Sequence, residues 1–264
     1  MKVVLFCGGL GTRMRDYSES IPKPMVPIGY RPILWHVMRY YAHFGHKEFI
    51  LCLGYKADVI KNYFLNYNEW LSNDFTYNGG DVVLKNSDIH DWKIHFVDTG
   101  LSANVGMRLK AVERYLDGEE TFLANYSDGL TDLDLNTYID NFHKQDKVAS
   151  CLCVRPSQTF HLIDADETGL VNDIKDVTKR NIWINGGYLM FKREIFDYIN
   201  YGEDMVNEPF QRLIQAQQFH AYKYQGFFGV MDTFREKQQM DEMYARRETP
   251  WEVWRDRSLQ KVSK

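Results

Sequence analysis

The chain has 264 residues, 44% of them hydrophobic and 15% aromatic, and a formal net charge of −4. That apolar share supplies a core and excludes a disordered chain. The acidic balance, without a dense Lys/Arg block, excludes a protein built mainly to bind nucleic acid, yet leaves room for a small anionic ligand held by local cations.

Residues 2–7, KVVLFC, form a continuous β-like run suited to a strand buried on both faces. The run is too short for a signal sequence and stops at glycines. No later run approaches the ~18 apolar residues of a membrane helix, so no membrane partner is expected. The turn that follows, Gly8-Gly9-Leu10-Gly11-Thr12-Arg13, lets backbone N–H groups converge on one point. Arg13 adds forked donors and Lys23 a point charge, a pair suited to polyphosphate. Read alone, the segment fits either a phosphate cradle or a tight turn with two solvated cations. It completes neither the dinucleotide-binding glycine pattern nor a Walker loop.

Pro32 opens a helix whose Ile33, Leu34, Val37, Met38, Tyr41 and Phe44 repeat at helical spacing until Gly45. A buried strand at 48–53, a helix at 57–66, a strand at KIHFVDTG, a helix at 105–116 and a strand at TFLANYSDG follow. This alternation predicts an α/β fold, a Rossmann-like, doubly wound, mostly parallel sheet. Ligands gather at the carboxyl edge of such a sheet, where the Gly8–Arg13 turn and the Ser127-Asp128-Gly129 turn both fall. Residues 67–92 read as an inserted hairpin or loop, and 150–191 as strand-rich material for a smaller β-rich second lobe. Helices at 193–200 and 205–217, a strand at HAYKYQ, a helix from Thr233 and a tail with PWEVW complete the chain. The expected organisation is a single domain with three parts: a nucleotide-binding half at 1–149, an acceptor-binding lobe at 150–232, and a C-terminal helix and tail at 233–264. The two tail tryptophans could anchor on the body or on a neighbouring subunit. The four cysteines, Cys7, Cys52, Cys151 and Cys153, sit in strand-like runs without metal-ligand spacing and read as buried free thiols in a reducing cytoplasm. The eight histidines form no ligand pair, and His36 reads as a structural helix residue.

FCGGLGTRM…IPKPM resembles the signature of sugar-phosphate nucleotidyltransferases. Together with RPILWHVMRYYAHFG, FVDTG…GMRLK, NYSDGLTDLD, INGGY and MDTFREK, it is similar to the glucose-1-phosphate cytidylyltransferases over nearly the whole chain. The resemblance implies transfer of CMP from CTP to a sugar 1-phosphate, releasing pyrophosphate. Two alternatives stay open: a different nucleotide (dTTP or UTP) or acceptor, and a non-catalytic nucleotide-sugar-binding protein. It implies that Gly8, Gly9, Gly11, Thr12 and Arg13 wrap the triphosphate, and that Thr99, Gly100, Arg108 and Ser127 lie near the nucleotide. Arg13 and Lys23 would be catalytic, and Asp128 and Asp232 would hold Mg²⁺, an ion that takes one or two carboxylates plus phosphate oxygens and water. Singly, Asp128 also reads as a turn former and Asp232 as an acid near a helix start. Asp176, Lys179, Asn185 and Gly186 are the acceptor-binding candidates. Here the chain departs from the family pattern: Val177 stands where Glu-Lys-Pro would put its lysine, and Thr159-Phe160-His161 stands for Arg-Phe-Gly. The family also implies a homo-oligomer.

Overall fold

The computed structural model describes residues 1–9, 21–156, 160–179 and 181–255. Its elements are β1 (Val3–Phe6), α1 (Ile33–His43), β2 (Glu48–Leu53), α2 (Ala57–Leu65), β3 (Phe75–Asn78), β4 (Asp81–Leu84), β5 (Lys93–Asp98), α3 (Val105–Ala111), β6 (Thr121–Asn125) and β7 (Gly129–Thr131). There follow α4 (Leu135–Gln145), β8 (Ala149–Val154), β9 (His161–Ala165), β10 (Val171–Asp176), β11 (Ile184–Lys192), α5 (Glu208–Gln215), β12 (Phe219–Lys223), β13 (Phe228–Val230) and α6 (Phe234–Ala245).

Strands with apolar residues on both faces need cover on both sides. Among the described residues they form a seven-stranded sheet ordered β12-β8-β11-β6-β1-β2-β5. Only β11 runs against its neighbours β8 and β6; the other pairings are parallel. The period of two along each strand divides the core. Val3 and Leu5 join α1 and α4 on one face, while Val4 and Phe6 join Leu109, Phe196 and Phe210 on the other. The chain winds outward from β1 to β2 and β5, then returns to place β6 on the far side of β1. That reversal is the switch point at which open α/β sheets gather ligands.

The expected α/β architecture is therefore present. The strands expected to build a second lobe divide, however. β8 and β11 carry buried runs (Leu152, Val154, Tyr188 to Phe191) and join the central sheet, whereas only the exposed β9–β10 hairpin stands apart as a two-stranded sheet. The helix expected at 193–200 is a 3-10 turn, Arg193–Tyr198, and that expected at 105–116 breaks after Ala111 into a second such turn. Pro209 sits in the first turn of α5, and the helix starts three residues later than its apolar pattern suggests. Within 67–92, β3 and β4 form the expected hairpin.

The tail folds onto its own body. Trp251 is 1% exposed, and Trp254 packs edge-on to Trp35 at 5.9 Å. Together with Tyr244 they enclose His36, whose Nε2 lies 3.1 Å from the Ile28 carbonyl. Burial pushes the His36 pKa down to about 4, and the nearby guanidinium groups of Arg255 and Arg31 press the same way. The folded value lies below the unfolded one, 6.5. Its contribution to stability is thus complete above pH 6.5 and is lost as pH falls toward about 4. The total loss from this group is about 3 kcal/mol. Urea midpoints should fall through this window while the His36 ring resonances stay those of the neutral form; a ring titrating near its unfolded value would contradict the assignment.

Candidate active site

Local pairing brings two distant acids together. Short strands β7 and β13 run antiparallel, with Gly129 opposite Val230, and the Met231 amide donates to the Asp128 carbonyl at 2.9 Å. Asp128 just before β7 and Asp232 just after β13 therefore face each other. Ser127, with φ of 66°, makes the sharp exit from β6, and its amide donates to Asn125 Oδ1 at 2.6 Å. Beyond β13, Thr233 caps α6 and forms a capping box with Glu236. Asp232 is thus not the cap, and its carboxylate turns toward Lys23.

Lys23 opens a 3-10 turn, Lys23–Met25, pinned by buried Pro24 and Met25. Its Nζ donates to Asp128 Oδ2 at 2.7 Å and also to Asp232 Oδ1. The three side chains are only 14%, 26% and 26% exposed. Burial opposes the Lys23 charge, but the two carboxylates outweigh it and raise its pKa. Asp128 is also raised, first by burial and then by the like charge of Asp232, against the pull of Lys23. Two half-buried carboxylates sharing one ammonium form a site that demands positive charge. Their hard oxygen donors suit Mg²⁺, which needs no third carboxylate where phosphate and water complete its shell. No cluster of three or more metal-ligating side chains occurs among the described residues.

These groups line a cleft of about 420 Å³ at the carboxyl ends of β1 and β6, together with Gly9, Tyr126, Arg108 and Asp204. Gly9 has open space around it, so its backbone is approachable. Gly11, Thr12 and Arg13 lie outside the described residues. Arg108 lies in the cleft wall, but its guanidinium is occupied by the protein. It donates to the carbonyls of Leu53, Gly8, Gly100 and Leu101 and to Thr99 Oγ1. A Cβ on Gly8 would sit 2.1 Å from Arg108 Nη1, which is why glycine stands there. Thr99 and Gly100 belong to the same network. Ser127 is fully buried with its hydroxyl 3.5 Å from Cys7 Sγ. Its positive φ turns the chain out of β6 toward Asp128.

Among the residues expected to bind the acceptor, Asn185 Oδ1 accepts from the Gly187 amide at 2.9 Å, and its Nδ2 donates to Tyr126 Oη at 3.4 Å. Gly187 has φ of 73°, and a Cβ there would meet the Tyr126 ring at 2.7 Å. Gly186 is buried beside it. Asp176 accepts from the Thr178 amide and hydroxyl, both at 2.8 Å, and so shapes the turn at Val177–Lys179. The Lys179 side chain lies outside what is described. Val177 is buried, 7% exposed, and presents no surface to the cleft.

Sequence reasoning missed Tyr126, Asn104 and Asp204. Tyr126 was legible, being the last residue before the Ser127 turn. Asn104 carries a cap signal, since its Oδ1 accepts from the Met107 amide. Asp204 carries none; it reaches the cleft because Gly106 of α3 allows the Glu203 carbonyl to lie 2.5 Å from where a Cβ would be. Near the same edge, Asp132 accepts from Tyr224 Oη at 2.6 Å and from the Phe227 amide at 2.8 Å.

The nucleotidyl transferase family model matches residues 2–256. Glucose-1-phosphate cytidylyltransferase of Salmonella typhi is 38% identical over 96% of this chain and 100% of its own. D-glycero-alpha-D-manno-heptose 1-phosphate guanylyltransferase of Campylobacter jejuni is 29% identical over 80% and 84%. Among solved structures, HddC from Yersinia pseudotuberculosis superposes with a TM-score of 0.65 at 22% identity, covering 92% of this chain and 99% of that one, a likeness of fold.

Proposed function

Because this chain belongs to the nucleotidyl transferase family, we propose that it transfers CMP from CTP to glucose 1-phosphate, giving CDP-glucose and pyrophosphate. The observation that carries the reading is the convergence of Lys23, Asp128 and Asp232 in one cleft at the switch point. The full-length similarity to a glucose-1-phosphate cytidylyltransferase supports the choice of base and acceptor.

In this reading the glycine turn after β1 receives the triphosphate, with the Gly8–Gly9 backbone at its base and Gly11, Thr12 and Arg13 continuing it. A phosphate oxygen of the acceptor attacks the α-phosphorus in line, forming the new P–O bond as the bond to pyrophosphate breaks. No protein nucleophile is required, so catalysis is positioning and charge stabilisation. The Lys23 ammonium donates to the phosphate oxygens that gain charge. Asp128 and Asp232 would hold Mg²⁺, which supplies charge neutralisation at the phosphates when bound. Arg108 and Thr99 act through the backbone, fixing the strand ends around the nucleotide. Asn185, Gly186, Asp176 and Lys179 receive the sugar phosphate. Both substrates are soluble metabolites, consistent with a cytoplasmic enzyme. The exposed Tyr77, Val82 and Val83 of the β3–β4 hairpin supply a surface for a homo-oligomer.

Pyrophosphate release with Mg²⁺ should be fastest with CTP and glucose 1-phosphate, by about 10²-fold or more over other nucleoside triphosphates. Turnover only with another acceptor or nucleotide, or binding of CTP without turnover, would overturn this assignment.

A further inference from the structure

On an extended strand, residues two apart share one face with their Cα atoms about 6.6 Å apart, within the reach of two cysteine side chains that lean together. Cys151 and Cys153 of β8 do so, bringing Sγ to within 3.5 Å of Sγ. Across β11, Cys151 faces Leu189 and Cys153 faces Asn185 rather than the residue that regular register would give, while β8 itself stays in regular register with β12. The extra length on β11 is taken up by Gly186 and Gly187, the latter at positive φ. The bulge in β11 thus sets Asn185 directly opposite Cys153. Both cysteines also pack in one core cluster with Tyr126, the wall of the cleft and the partner of Asn185.

We propose that Cys151 and Cys153 form a redox-active dithiol, closed to an intrachain disulfide by a low-molecular-weight disulfide, and that closure disturbs the acceptor side of the cleft through Asn185 and Tyr126. The two thiols are unlike. Cys153 is half-buried and pairs across the sheet with Lys223, while Cys151 is 6% exposed. A hydrogen bond from Cys151 and the Lys223 charge lower the Cys153 thiol pKa against the effect of burial, while the Cys151 thiol is pushed up. Cys153 is then the attacking thiolate and Cys151 the resolving thiol. The Cys153 thiolate attacks one sulfur of the small disulfide, forming a mixed disulfide and expelling one thiolate. The Cys151 sulfur next attacks Cys153, expelling the second small thiol, which takes up the Cys151 proton. The pair loses two electrons, and the small disulfide is reduced to two thiols.

The kinetic part of this inference rests on the proposed cytidylyltransferase reading; the disulfide itself does not. The reduced full-length protein is treated with oxidised glutathione, then analysed by intact mass, peptide mapping and initial rates. The expected product is a Cys151–Cys153 disulfide with no retained glutathione, with KM for glucose 1-phosphate raised about threefold or more, KM for CTP little changed, and full reversal by dithiothreitol. Cys151→Ser should instead retain glutathione on Cys153, and Cys151→Ser/Cys153→Ser should keep its KM values through the same treatment. Persistence of both free thiols, a disulfide to another cysteine, or equal changes in both KM values would overturn the proposal. Absence of turnover in the untreated protein would instead count against the cytidylyltransferase reading, and mapping would still decide whether the dithiol closes.

Discussion

Lys23→Ala is expected to lower kcat by about 10²–10³-fold, the usual cost of losing one preorganised donor from developing negative charge. The expectation follows from where the ammonium sits. It is held between two carboxylates, raised in pKa, and half-withdrawn from water, so it is charged over the whole working pH range. Asp128→Asn should lose turnover on a similar scale, because it keeps the shape of the turn and removes one of two anionic oxygen donors. The two variants separate by a second measurement. In chelator, Lys23→Ala leaves Asp128 and Asp232 facing each other without a cation, so its melting temperature should drop, and added Mg²⁺ should restore more stability than it gives the parent. Asp128→Asn relieves that repulsion, and its Mg²⁺-dependent gain should be smaller than the parent's. Near-normal kcat in either variant, or an equal response to Mg²⁺ in both, would contradict the assignment of the three groups to one cation-dependent site.

How far the sequence alone reveals this arrangement depends on the kind of force at each position. Runs such as VVLF and EFILCL have one way to be buried, and the sheet they announce is the sheet that forms. The pairing of Asp128 with Asp232 was legible only through the family resemblance, since β7 and β13 are three-residue strands with no periodic signal. The division of 150–191 was not legible. Strand-rich composition does not say which strands will find a place in a parallel sheet; β11 enters antiparallel, between β6 and β8, through tertiary packing. The hydrogen bonds of Arg108 were not legible for a related reason. The resemblance implies only a position near the nucleotide, and the geometry alone shows its donors held by four carbonyl groups and Thr99 Oγ1.

Arg108 accordingly carries the second large expectation. Its guanidinium joins the ends of three strands: Gly8 after β1, Leu53 at the end of β2, and Thr99, Gly100 and Leu101 after β5. It is 4% exposed, and burial lowers its pKa, so carbonyl dipoles hold the charge. Arg108→Ala leaves buried carbonyls without donors and should cost about 3–5 kcal/mol of stability. Lysine should rescue little, because three donors on one nitrogen cannot span carbonyls that the planar fork reaches on two sides. Gly8→Ala should also destabilise, since its methyl would overlap the guanidinium. With Arg108 already truncated that overlap disappears, so the double variant should be less destabilised than the sum of the singles. Urea unfolding of the ligand-free protein decides the matter. If Arg108 were chiefly a nucleotide ligand, its loss would weaken CTP binding and leave the unfolding midpoint unchanged. A strand clamp gives the opposite order: the midpoint falls first, and the effect on CTP follows from a glycine turn no longer held in place.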